Sequence, residues 1–215
     1  MNIPSQTKAF LFDMDGVLVN TEDIAHDIFE KFALEYNSEF TEHDHKHILG
    51  STESYWAKYL CEKWNVPISN EEFANIYWKR RNIVLDSKLK LLSGVKQLFD
   101  LLKNTGFKIA LVTSTPRDYV NIILERFDLM NYFDVSVTGD EIINGKPFPE
   151  PYIKAIESLG LQPEECVVVE DSIGGVTSGK TAGCFVVAIP TIHAKGLDYS
   201  SADLVFESLN ELILS

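Results

Sequence analysis

The run Ala9-Phe10-Leu11-Phe12 offers no polar residue to either face of a strand, and it leads straight into Asp13-Met14-Asp15-Gly16-Val17. A short run so rich in aromatic and branched residues is expected to be a strand buried on both sides. In extended chain residues i and i+2 share a face, so Asp13 and Asp15 are expected to project together from its carboxyl end. Ligands bind there in open parallel α/β sheets. Gly16 then lets the chain turn. Two like charges this close repel each other, and a divalent cation or a bound proton would make the pair sensible. Asp and Gly are also ordinary turn formers, and an isolated Asp-x-Asp-Gly asks for no more than that.

Three later segments change the balance. Lys108-Ile109-Ala110-Leu111-Val112 is a second buried run, ending in the hydroxyl-rich turn Thr113-Ser114-Thr115-Pro116. Gly145-Lys146-Pro147-Phe148-Pro149-Glu150-Pro151 sets a lone lysine in a proline-fixed loop, before a helical pattern of Tyr152, Ile153, Ile156 and Leu159. Cys166-Val167-Val168-Val169 is a third buried run, followed by Glu170-Asp171-Ser172 and the glycines Gly174 and Gly175. Each has a bland reading, as a helix cap or a solvated loop charge. Together they repeat one theme of polar groups at the carboxyl ends of buried strands.

Acid pair, hydroxyl, lysine and acid pair, in this order, resemble the four-motif signature of the haloacid dehalogenase superfamily, over essentially the whole chain. The likeness is to the branch with a helical cap inserted after the first motif, which includes β-phosphoglucomutase and many small-molecule phosphatases. The resemblance implies that Asp13 is the nucleophile that takes a phosphoryl group and Asp15 the general acid and base. It implies that Thr113 and the backbone of Ser114 bind phosphoryl oxygens, with Lys146 bridging phosphate and nucleophile. Asp171, with Glu170 beside it, would hold Mg²⁺ together with a carboxylate oxygen of Asp13 and the backbone carbonyl of Asp15. Dehalogenases of the superfamily lack the second Asp of the first motif, so Asp15 argues for phosphoryl transfer.

These residue types suit that chemistry. A carboxylate attacking a phosphate dianion meets charge repulsion, which a cation, Lys146 and helix-terminal amides offset. Hard oxygen ligands suit Mg²⁺. Asp15 can protonate a leaving alkoxide and then deprotonate the attacking water, splitting one displacement into two. The formal net charge of −13 argues against nucleic-acid or anionic-membrane partners, which select basic patches, and points to a small phosphorylated metabolite. No apolar run has membrane-spanning length, and Met1 to Gln6 lacks the regions of a signal peptide. Cys61, Cys166 and Cys184 are odd in number without CxxC spacing, so buried reduced thiols in a cytoplasmic protein are expected. Oligomeric state is not readable.

Organisation follows from spacing. Asp15 and Thr113 lie 98 positions apart, whereas a βαβ crossover needs only about 30 residues. From Thr21 to Leu89 the pattern is helical: Ile24, Ile28, Phe32 and Tyr36 recur every four residues, as do Trp56, Leu60 and Trp64, and Phe73 with Tyr77. Ser69-Asn70-Glu71-Glu72 has capping-box form, and Thr41 with Asp44 has a similar form before a helix that Gly50 ends. We therefore expect a helical cap over 21–89, and a doubly wound parallel α/β core over 1–20 and 90–215. Its strands are expected near 8–12, 108–113, 134–138, 166–170, 184–189 and 203–206.

Within the cap, His43 and His47 share a helical face at i, i+4, but no third zinc ligand is evident and a solvated face is expected. Lys79-Arg80-Arg81 is likewise expected to be solvated. The aromatic residues Tyr55, Trp56, Tyr59, Trp64, Tyr77 and Trp78 fit a packed cap core, one or two of them lining a cleft. Where the resemblance implies a phosphate-gripping Arg for a mutase, the stretch Gly50-Ser51-Thr52-Glu53 supplies an acid, and Ala25, with His26 one position along, stands where the mutase has a gating histidine. Both departures favour a hydrolase. The expected activity is a Mg²⁺-dependent phosphatase acting through an aspartyl phosphate. The alternatives are a phosphomutase of the β-phosphoglucomutase type, or an idle phospholigand-binding regulator, which has no need of five matched groups.

Overall fold

The computed structural model describes residues 3–194 and 196–214, with the side chains of 82–87 and 214 excepted. Strand β1 (Ala9–Phe12) is followed by five helices, α1 (Thr21–Glu35), α2 (Glu42–Ile48), α3 (Glu53–Trp64), α4 (Asn70–Lys88) and α5 (Val95–Asn104). The chain then alternates through β2 (Lys108–Val112), α6 (Arg117–Arg126), β3 (Val135–Val137), α7 (Glu150–Leu159), β4 (Cys166–Glu170) and α8 (Ile173–Thr181). It closes with β5 (Phe185–Ala188), β6 (Leu204–Val205) and α9 (Leu209–Leu214). The strands form one parallel sheet in the order β3-β2-β1-β4-β5-β6. All six fall where the apolar runs predict.

The lack of alternation in these runs has a direct cause. Every residue of β1 and β4 is buried, because helices cover both faces. Phe10, Phe12, Val167 and Val169 pack with Leu98 and Phe99 of α5 and Ile123 of α6. Leu11 and Val168 pack on the other side with Tyr152 and Ile156 of α7 and Val176 of α8. Strand order reverses where β1 lies between β2 and β4, with Phe12 in register with both Leu111 and Val169. Residues just past these three strands therefore meet at one crevice.

Helices α1 to α4 form the inserted unit. Its core is the predicted periodic set: Ile24, Ile28, Phe32, Trp56, Leu60, Trp64, Phe73 and Tyr77 are all buried. Thr41 and Asp44 make the expected capping box on α2, and Ser69 Oγ accepts from the Glu72 amide at 3.1 Å ahead of α4. The two connections to the core run side by side. The Lys90 amide donates to Asn20 Oδ1 at 2.6 Å, and the Leu92 amide to the Leu18 carbonyl at 2.8 Å. Further out, Trp78 of α4 stacks on Tyr119 of α6 with ring centroids 4.5 Å apart. Cys61, Cys166 and Cys184 are buried and unpaired, and burial raises their thiol pKa values to about 11, 12 and 12 respectively. Among the described residues no helix is long and apolar enough to cross a membrane.

One local expectation holds and one changes. His43 and His47 lie on an exposed face of α2 as expected, with Asp44 and His45 buried between them. Of Lys79, Arg80 and Arg81, only Lys79 is an open surface charge. Arg80 lies over the Phe32 ring and pairs with Glu35, and Arg81 is 3% exposed.

Asp44 ties the insertion together. It accepts from Tyr59 Oη at 2.7 Å and from Lys63 Nζ at 2.5 Å, besides its own cap. Burial alone would raise its carboxyl, but these donors prevail and lower it from 3.8 to about 2. The stabilisation is thus fully present above the ordinary carboxylate pKa and is lost as pH falls through the folded value. Asp44→Asn should cost about 2 kcal/mol at pH 7, a deficit that denaturant melts should show shrinking to nothing between about pH 4 and pH 2. An equal deficit at every pH would assign the cost to packing instead.

Candidate active site

Asp13 is the first residue past β1, and its amide continues the sheet by donating to the Val169 carbonyl at 3.0 Å. Its carboxylate meets Lys146 Nζ at 2.5 Å. The same ammonium reaches Glu170 Oε1 at 2.5 Å and the Val112 carbonyl at 3.0 Å. One buried lysine thus joins the ends of β1, β2 and β4. Glu170 is held on every side: Tyr152 Oη donates to Oε1 at 2.7 Å, while Oε2 accepts from the Asp171 and Ser172 amides and the Ser172 hydroxyl at 3.1, 3.3 and 3.1 Å. Its neighbour in space is Gly175, where a Cβ would lie 1.8 Å from the Glu170 carboxyl carbon.

Asp15 lies in the same cavity, facing the insertion. Its Oδ2 accepts from Thr113 Oγ1 at 3.2 Å and Thr115 Oγ1 at 2.7 Å, and its Oδ1 from Arg81 at 2.7 Å. Just past Asp15 the chain turns at Gly16, with φ +79°, and a Cβ there would fall 2.1 Å from Asp171 Oδ2. Glycine is therefore required twice over, by conformation and by the approach of the second acid pair. Ser114 lines the cavity, and so do Glu22, Trp56, Tyr77 and Trp78 from the insertion. The cavity is about 100 Å³ in volume.

The electrostatics are unbalanced. One ring of atoms from Asp13, Glu170 and Asp171 lies within 4.8 Å, and a single lysine serves all three. Burial pushes the Asp13 carboxyl well above the usual carboxylate range, Lys146 opposes, and Glu170 and Asp15 reinforce the rise. Burial also raises Asp171, followed by the charges of Glu22 and Asp13. For Lys146 burial works against the charge, but Asp13 and Glu170 prevail and raise its pKa. Asp171 Oδ2 is buried with no hydrogen-bond partner. A second cation is what such a site lacks.

All seven residues expected from sequence, Asp13, Asp15, Thr113, Ser114, Lys146, Glu170 and Asp171, converge on this crevice. Two of them make further contacts: Thr113 Oγ1 donates to Asp15, and both Glu170 oxygens accept hydrogen bonds. Ser172 takes the bland role, capping α8 by accepting from the Gly175 amide at 3.0 Å. Glu53 accepts from Trp78 Nε1. His26 turns to His45 and His193, while Ala25 lines the cavity. Sequence reasoning missed Arg81, Thr115 and Tyr152. Arg81 had a signal: it continues the buried four-residue series Phe73, Tyr77, and an arginine on such a stripe needs a partner.

The match to known proteins covers the whole site. The family model for haloacid dehalogenase-like hydrolase matches residues 10–189. A phosphorylated carbohydrates phosphatase from Thermotoga maritima is 39% identical over 176 residues, which are 82% of each chain. Hexitol phosphatase B from Escherichia coli is 27% identical, covering 99% of this chain and 97% of its own. A crystal structure of β-phosphoglucomutase from Clostridium difficile, 22% identical, superposes with a TM-score of 0.83 over 96% of this chain and 93% of that one, and so shares the fold. The chain belongs to the haloacid dehalogenase-like hydrolases.

Proposed function

We propose that this protein is a Mg²⁺-dependent phosphatase of small phosphomonoesters, sugar phosphates foremost, working through an aspartyl phosphate on Asp13. The observation that carries the reading is the convergence of Asp13, Asp15 and Asp171 on one buried cavity, with Lys146 on Asp13, Arg81 on Asp15 and an Asp171 oxygen left without a partner. The similarity to phosphatases of phosphorylated carbohydrates and hexitols supports the substrate class. We assign residues 21–89 to the cap and 1–20 with 90–215 to the core. The unpaired thiols support a cytoplasmic setting.

Asp13 attacks phosphorus as the bond to the ester oxygen breaks, and Asp15 delivers its proton to the departing alkoxide. Asp15 then takes a proton from the water that attacks the phosphoryl group, releasing phosphate and restoring Asp13. Thr113 and the Ser114 backbone hold phosphoryl oxygens, and Lys146 steadies the nucleophile while screening its charge. The unpartnered Asp171 oxygen and the all-oxygen donor set fit a hard cation. Asp13, the Asp15 carbonyl and Asp171 would hold Mg²⁺, with Glu170 fixed behind them, and the ion would supply the missing positive charge.

Arg81 supports a second reading, since it is a cap cation aimed at the core site, which a phosphomutase needs to grip a second phosphate. Glu53, bound to Trp78 beside it, favours the hydrolase. Products separate the two: steady release of inorganic phosphate from hexose phosphates fits a phosphatase, whereas rapid interconversion of β-glucose 1-phosphate and glucose 6-phosphate without phosphate release overturns it.

Asp13→Asn should lower phosphate release at least ~10³-fold while the chain still folds, with some loss of melting temperature because Lys146 keeps only Glu170 as a charged partner; appreciable residual turnover would remove Asp13 from the chemistry. Asp15→Asn should cost about 10²–10⁴-fold on alkyl phosphates and much less on p-nitrophenyl phosphate, whose leaving group needs little protonation. Chelation should abolish turnover, Mg²⁺ should restore it, and Ca²⁺ should inhibit, because its larger and looser oxygen shell misplaces the nucleophile. Arg81→Ala should lower kcat/KM for sugar phosphates about 10–100-fold, as expected for one charged hydrogen bond. A loss confined to stability would instead make Arg81 a structural partner of Asp15.

A further inference from the structure

At the edge of the cavity, which His45 lines, a second cluster joins the insertion to the core. His26 of α1 and His45 of α2 meet His193, which sits in the short turn Ile192–Ala194 after β5. His26 Nδ1 and His45 Nδ1 are 2.9 Å apart. His193 lies against both rings, with centroid separations of 4.6 Å to His26 and 4.5 Å to His45. One ring nitrogen from each lies within 4.8 Å of the other two. We propose that His26, His45 and His193 bind one first-row transition cation of the zinc type, which fastens the helical insertion to the α/β core.

The carboxylates around the cluster are the main argument. Every ring has an acid opposite Nε2: Glu30 at 3.4 Å from His26, Glu22 at 3.3 Å from His45 and Asp23 at 3.0 Å from His193. A carboxylate favours a proton on the nitrogen that it faces, which leaves Nδ1 as the lone-pair nitrogen. Carboxylates behind metal-bound histidines play this orienting part. His26 Nδ1 and His45 Nδ1 approach to 2.9 Å, a separation at which both rings can share one cation. His45 is 2% exposed, and its Nε2 makes no hydrogen bond despite the nearby Glu22.

The donor set selects the ion. Imidazole nitrogens suit zinc and its neighbours in the first row, whereas Mg²⁺ prefers oxygen, so the cluster and the Asp13–Asp171 site take different metals. Two nitrogens 2.9 Å apart can both lie about 2.1 Å from one ion. His193 is stacked on both rings in this structure, and would turn out of that stack to complete the site, drawing the core turn against α1 and α2. Three histidines leave a fourth position for water. Because Glu22 lines the active-site cavity as well as backing His45, a bound ion would hold the insertion closed over Asp13.

Binding is measured on the full chain with Mg²⁺ in excess, by competing Zn²⁺ against a chromophoric chelator and by the visible absorption of Co²⁺. One equivalent should bind to wild type, to Asp171→Ala and to the His43→Ala/His47→Ala double variant alike, and should raise the melting temperature. His26→Gln and His193→Gln, at partly exposed positions, should each weaken it at least tenfold and abolish the thermal shift. Asp23→Asn should weaken it about 10–100-fold through His193. Equal affinity in wild type and His193→Gln, or binding that vanishes with His43 and His47 or with Asp171, overturns the proposal. Neither readout uses turnover, so the result is independent of the phosphatase reading.

Discussion

At the centre of the sheet Lys146 is the cation that touches Asp13 and Glu170, while Arg81 pairs with Asp15 at the rim, and the rest of the site is arranged around that fact. The lysine ammonium touches the first residue past β1, the last carbonyl of β2 and the last side chain of β4. Leaving a buried charge without its partner costs about 3–5 kcal/mol, so the lysine fixes the relative position of three strand ends. Glu170 is then spoken for by Tyr152, Ser172 and two amides. Asp171 and Asp13 are left with a deficit of positive charge. The lysine holds the frame, and the carboxylate charge that it does not offset is what the proposed cation would neutralise.

The insertion completes what the sheet cannot supply. The core presents Asp13 and Asp15 at its rim, but Asp15 is steadied from above by Arg81 and from below by Thr113 and Thr115. Trp56, Tyr77 and Trp78 close the wall, which excludes water and strengthens every charge interaction inside. Links between the two parts include the Trp78–Tyr119 stack, the Arg81–Asp15 pair and the histidine cluster at His193. The apolar packing is continuous across them, since Phe10, Phe12 and Leu98 share one buried cluster with Ile24, Trp56 and Phe73.

Much of this was legible in the chain because it rests on short-range patterns. Fully apolar runs mark strands buried on both faces, and the four-residue recurrence of Ile24, Ile28 and Phe32 marks a helix packed on one side. Thr41 and Asp44 announce a helix start within four residues. The polar residues after β1, β2 and β4 are neighbours in space because parallel strands put their carboxyl ends together, so position along the strand locates them. What the chain did not disclose depends on partners far away in sequence. Asp44 and His45 lie in a stretch of charges and become buried only because Tyr59, Lys63 and His193 come to meet them. Arg81 looks like the end of a basic run until Asp15, 66 positions away, is brought beside it.

The central claim is that Asp13 carries the phosphoryl group during turnover. Acid quenching of the enzyme during reaction with a hexose phosphate, followed by borohydride reduction, converts an aspartyl phosphate to homoserine, which peptide mass spectrometry then locates in the chain. The account predicts homoserine at position 13 alone, absent without Mg²⁺ and absent without substrate. Homoserine at position 15 or 171, or phosphate release with no modified residue under quenching that captures a burst, would contradict it.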